Sequence, residues 1–114
     1  MRLALVLGRL TLLVLSLFVA ASVQAAGNAD KGKAKAAQVC AACHGSDGNK
    51  PSAPDQPVLA GQYYDYLVRA LTDYKLGHRT NGIMKGFAAQ LSKQDIEDLA
   101  AWFSSQKSAL HNQR

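Results

Sequence analysis

Apolar and polar positions change rhythm along this chain. Leu10 to Ala21, LTLLVLSLFVAA, is an uncharged apolar run. Beyond it, apolar residues recur at helical spacing among charged ones. Ala29, Gly32, Ala36 and Val39 are small or apolar and fall three or four apart. They predict a helix over about Ala29 to Val39, capped by Asn28 or Asp30. Gly32 inside it costs about 1 kcal/mol relative to alanine, and such a glycine often admits another element closely. Tyr64, Leu67, Val68, Leu71 and Tyr74 form a stripe at i, i+3, i+4, i+7 and i+10, the apolar face of a helix over about Gly61 to Leu76. Gly77 supplies a left-handed end. Ile96, Leu99, Ala100 and Phe103 repeat the stripe over about Lys93 to Lys107. Ser92 and Asp95 there are spaced as a capping box, and Asp95, Glu97 and Asp98 suit a helix start.

Between these helices the pattern is lost. Gly45 to Pro57 holds all three prolines, and Gly77 to Gly86 is glycine-rich and encloses Met84. Both stretches read as loops. No β-branched alternating segment is present, so strands are not expected. The expected class is all-α: three main helices with long loops, and loops of this kind in a small helical domain usually wrap something.

The first apolar run changes the domain organisation. Arg2 and Arg9 precede or open it, and Val23-Gln24-Ala25 closes it with small residues. The run is too short to span a bilayer and has the layout of a secretory signal peptide. The expected division is residues 1–25 as signal peptide and residues 26–114 as one domain of 89 residues. An uncleaved membrane anchor is the other reading of the same run. Export implies an oxidising compartment. Without Arg2 and Arg9, eleven Lys+Arg face eight Asp+Glu, a formal charge of +3. That mild excess suits an acidic protein surface or peripheral association with an anionic membrane face. Nucleic acid is not indicated, since no basic run with interleaved aromatics occurs. A domain this short buries a modest core and often needs a staple, a metal or a cofactor.

Candidate chemistry concentrates in VCAACHGSDG, residues 39 to 48. It contains both cysteines of the chain, Cys40 and Cys43, followed directly by His44. A redox disulfide expects a βαβ context, which is missing. Structural zinc expects four ligands, commonly two separated pairs. Later candidates are only His78 and His111, and adjacent Cys43 and His44 suit one tetrahedral ion poorly. Cys-x-x-Cys-His is the attachment signal of c-type haem. Two thiols on a helix end add to the haem vinyl groups, and the next histidine lies under the iron. Cys40 and Cys43 are then thioether anchors and His44 the proximal ligand. A tether prevents cofactor loss after export and supplies an apolar core.

With these residues in view, the chain resembles the class I cytochromes c, especially the short bacterial single-haem kind and the halves of their di-haem relatives. The resemblance spans about Gly27 to Gln106. CAACH carries most of it. PVLAGQ (Pro57 to Gln62), RTNGIM (Arg79 to Met84) and LSKQDIEDLAAWF (Leu91 to Phe103) are similar to further family segments. The resemblance implies that Met84 is the distal iron ligand. It implies that the Pro57 carbonyl accepts the His44 Nδ1–H, which fixes the ring and its basicity, and that Leu59 packs on the haem. Gly32 and Ala36 would meet Leu99 and Trp102 at a helix crossing. Arg79 would face a haem propionate, or stand as a plain surface arginine. His78, on the same stretch as Met84, is the competing nitrogen ligand.

One attachment site implies one haem c. A haem with both axial positions filled exchanges single electrons and does not readily bind substrate, and His/Met ligation raises its potential. The function implied is a periplasmic respiratory electron carrier and not an enzyme. It would accept electrons from a quinol-oxidising complex or dehydrogenase and pass them to a terminal oxidase or reductase. Two alternatives share the motif: a haem subunit of a membrane dehydrogenase, and a catalytic or gas-binding protein with a labile distal ligand. No acid–base pair of the kind peroxidase chemistry needs is apparent.

Overall fold

The computed structural model describes residues 26–109. The expected signal peptide and His111 lie outside them. The described residues form helices and loops without a strand: α1 (Ala29–Val39), α2 (Ala41–His44), α3 (Tyr64–Leu76), α4 (Gly82–Ala89) and α5 (Lys93–Ser104). Among them, no helix is long and apolar enough to cross a membrane.

α1 and α5 make the broadest helix contact. Gly32 permits it. A Cβ there would lie 1.9 Å from the Asp98 carbonyl oxygen and 2.9 Å from the Trp102 Cβ, far inside contact distance. Ala36, one turn on, is fully buried in a core with Leu99 and Phe103. Asp98 locks the same crossing. It is 5 % exposed, and its Oδ1 accepts the Asn28 backbone N–H at 2.7 Å and the Gln94 Nε2 at 2.9 Å. A carboxylate read as a helix-start charge thus also ties the chain before α1 to α5.

The capping expectations hold. Asn28 caps α1, and Ser92 and Asp95 form a reciprocal capping box on α5. Gly77 closes α3 at φ 82°. Helix ends differ from the expected ranges for local reasons. α3 starts at Tyr64 and not at Gly61, because Gly61 stands at φ 73° and Tyr63 is extended, neither in helical conformation. α5 stops at Ser104, three residues before Lys107. The Ser105 hydroxyl and Gln106 Nε2 both donate to the Trp102 carbonyl (2.8 and 3.0 Å), and Asn49 Nδ2 donates to the Lys107 carbonyl at 2.8 Å. The largest difference is at Met84. It lies in α4, not in a loop. Asn81 caps that helix, and Ala88 and Leu91 are buried beyond it. α4 packs on α3.

Candidate metal centre

Cys40, Cys43 and His44 fall at i, i+3 and i+4 of one helical turn, so their side chains share a face. α2 is that turn. The Cys43 and His44 N–H groups donate to the Cys40 carbonyl at 3.2 and 3.0 Å. The following loop also holds the turn, with the Ser52 N–H donating to the Cys43 carbonyl at 2.9 Å. The spacing of the motif is therefore the spacing of one helical face.

His44 is buried, at 6 % exposure. Its Nδ1 lies 2.9 Å from the Pro57 carbonyl oxygen. A carbonyl only accepts, so Nδ1 carries a proton, and in the neutral ring Nε2 is left with a lone pair. That is the tautomer of a metal ligand with an oriented ring. Pro57 is held in turn by the loop. The Leu59 N–H donates to the Gly48 carbonyl at 2.9 Å. Gly48 sits at φ 81°, and a Cβ there would lie 2.8 Å from the Phe103 ring. Only glycine suits both the conformation and the gap.

One cleft takes in Cys40, Cys43, His44, Pro57, Leu59, Arg79 and Met84 together. Most of its remaining wall is apolar, including Leu67, Leu71, Leu91, Leu99 and Phe103. His44 and Met84, from α2 and α4, both line it. Cys40 and Cys43 are not joined to each other by a disulfide. Burial, with Cys43 close by, pushes the Cys40 thiol up to about 11. A poised redox dithiol has the opposite character, a lowered pKa. No group of three or more His, Cys, Asp or Glu residues suited to a metal ion occurs among the described residues.

Arg79 is half-buried on the cleft wall. Its guanidinium stands 5.1 Å from the Tyr74 ring centre and 5.8 Å from that of Tyr66, and Nη2 donates to the Tyr66 hydroxyl at 3.3 Å. This is a stacked, oriented arginine and not a free surface one. His78 is outside the cleft lining. Its ring is largely exposed and pairs with Asp73 at 3.5 Å. Trp102 packs against the core and donates from Nε1 to the Ser46 carbonyl at 3.0 Å. Tyr66, Tyr74 and Asn81 are site residues that the sequence reading passed over. Tyr74 counts in the sequence only as part of a helix stripe, and Tyr66 falls outside that stripe. Asn81 followed by helical spacing at Met84, Ala88 and Leu91 was a capping signal masked by the glycines.

The cytochrome c family profile matches residues 29–107. The chain is 52 % identical over 95 residues to cytochrome c4 of Pseudomonas aeruginosa, covering 83 % of this chain and 46 % of the relative. It is 42 % identical over 85 residues to cytochrome c-554(548) of Halomonas halodenitrificans, covering 72 % of this chain and all of the relative. The crystal structure of reduced recombinant cytochrome c4 from Pseudomonas stutzeri superposes with a TM-score of 0.69 at 47 % identity, covering 75 % of this chain and 48 % of that one. The chain thus spans about half the length of the cytochromes c4 it matches.

Proposed function

Because the chain belongs to the cytochrome c family, we propose that it is a periplasmic carrier of single electrons, with His44 and Met84 as the axial ligands of its iron. Family membership and the Cys40-Ala-Ala-Cys43-His44 stretch give it one covalently bound haem c. That group supplies a one-electron ferric/ferrous couple.

The cleft suits the group in three respects. Its wall is mostly apolar, Cys40 and Cys43 line it from the start of α2, and His44 has its Nδ1 committed to the Pro57 carbonyl. Cys40 and Cys43 would hold the thioethers. Pro57 keeps His44 in one orientation, and Leu59 closes the wall beside it. Arg79, already steered by Tyr66 and Tyr74, is suited to a propionate carboxylate. The observation that carries the reading is the shared cleft: His44 and Met84 line it together, and His78 does not. Two filled axial positions leave no room for substrate, so the residues orient and shield rather than catalyse. Sulfur as one ligand raises the potential relative to two nitrogens.

The donor is proposed to be a quinol-oxidising complex or a dehydrogenase, and the acceptor a terminal oxidase or reductase. Residues 1–25 would direct export. Optical spectra of the purified protein test the ligand set. The iron should be low-spin in both oxidation states, and the ferric form should show the weak red band of sulfur-to-iron charge transfer. Met84→Ala should abolish the band and His78→Ala should keep it. A band lost in His78→Ala and kept in Met84→Ala would reverse the assignment.

A further inference from the structure

α4 is a weak helix carrying a residue that must stay in place. It has eight residues, shorter than helices that persist alone in water. Two of the eight are glycines, Gly82 and Gly86, and a Cβ built on either meets no non-local atom within 4 Å. Packing within the described residues therefore asks for neither, and each lowers helix propensity. What secures the helix start is Asn81. Its Oδ1 accepts both the Ile83 N–H at 3.1 Å and the Met84 N–H at 3.0 Å. Its own carbonyl accepts the Lys85 N–H at 2.9 Å. Ala88 and Leu91 anchor the other end by burial. Met84 thus sits in a first turn held mainly by one side chain, which binds Met84's own amide.

We propose that Asn81 is a positioning residue for the Met84 sulfur: its cap keeps the first turn of α4 helical, and cap strength sets how firmly the sulfur stays on the iron. This rests on Met84 being the distal ligand. The argument is one of linkage. If the first turn must be helical for the sulfur to reach the iron, whatever stabilises that turn stabilises ligation equally. The effect is confined to the distal side, because His44 is held independently by α2 and Pro57.

The test follows the ferric red band through a rise in pH, for the haem-loaded wild type, Asn81→Ala, Asn81→Ser and Gly86→Ala. Loss of the cap should shift the ligation equilibrium roughly two- to thirtyfold towards the sulfur-free form, so the band of Asn81→Ala is half lost at lower pH. Asn81→Ser, neutral and able to cap, should restore most of the shift. Gly86→Ala, whose added methyl meets open space, should move the equilibrium the other way, roughly fivefold, and half-loss to higher pH. Carbon monoxide should enter ferrous Asn81→Ala faster than wild type and enter Gly86→Ala more slowly. The inference is overturned if Asn81→Ala keeps the wild-type pH of half-loss, if Asn81→Ser behaves as Asn81→Ala, or if Gly86→Ala weakens the band. A wild-type protein with no band overturns the Met84 reading and this inference with it. A wild-type band that Met84→Ala removes and Asn81→Ala leaves unmoved overturns this inference alone.

Discussion

His44 has one nitrogen committed to Pro57 and one available, and that division sets expectations at the scale of single residues. The other nitrogen is Nε2, so the residue proposed opposite it would decide the remaining chemistry. Met84→His should keep six-coordinate iron and lower the reduction potential, since nitrogen favours ferrous iron less than sulfur does. His78→Ala should leave the potential at the wild-type value, because His78 pairs with Asp73 outside the cleft. Equal potentials in wild type and Met84→His by redox titration would contradict this. Cys40, Cys43 and His44 were legible in the sequence because covalent haem attachment requires three residue types in fixed order on one helical face. Arg79 was legible only as a charge. Its stacking between Tyr66 and Tyr74 depends on how the start and end of α3 meet the chain beyond Gly77, which no local spacing records.

At the scale of elements, the α1–α5 crossing and the two ends of α5 carry the testable content. Gly32→Ala puts a methyl against the Asp98 carbonyl, a backbone atom that is not free to move aside. Overpacking of this kind should cost at least about 2 kcal/mol, or roughly 10 °C in Tm for a domain of this size. An unchanged melting temperature would show that the helices separate without penalty. Ser92→Ala removes half of a capping box and should cost about 1 kcal/mol. The partner, Asp95, is held below the usual carboxylate range, chiefly by the Ser92 backbone N–H. A depressed folded-state pKa stabilises the fold above the unfolded value near 4 and loses that effect as pH falls through the folded value. Acid unfolding of Asp95→Asn should therefore be less steep below about pH 4 than that of wild type, and identical acid profiles would contradict the assignment. The three long helices were readable from stripes and caps. α4 was not, because Gly82 and Gly86 obscure a short pattern, and its stability comes from Asn81 and from burial of Ala88 and Leu91 against the rest of the molecule.

At the scale of the whole molecule, the cleft is the larger part of the core. Leu67, Leu91, Leu99 and Phe103 belong both to its wall and to the buried cluster, so a haem seated there would extend the apolar core. A double Cys40→Ala, Cys43→Ala protein, freed of haem, should be largely unstructured and protease-sensitive. Native helicity and a cooperative melt by circular dichroism would refute this. The formal charge of +3 for residues 26–114 predicts that electron transfer to an anionic oxidant such as hexacyanoferrate slows as salt screens the attraction. Stopped-flow rates that stay flat or rise with ionic strength would count against it. Both expectations rest on length, cysteine spacing and charge. The placing of Met84 on a capped helix was not legible there. The central claim is that both axial positions are filled, which separates a carrier from a catalyst or gas binder. Carbon monoxide binding to the ferrous protein at neutral pH tests it most directly, since with Met84 as a ligand the gas would first have to displace its sulfur. The account predicts slow or negligible binding in the wild type and fast binding in Met84→Ala. Rapid, complete binding by the wild type would contradict it.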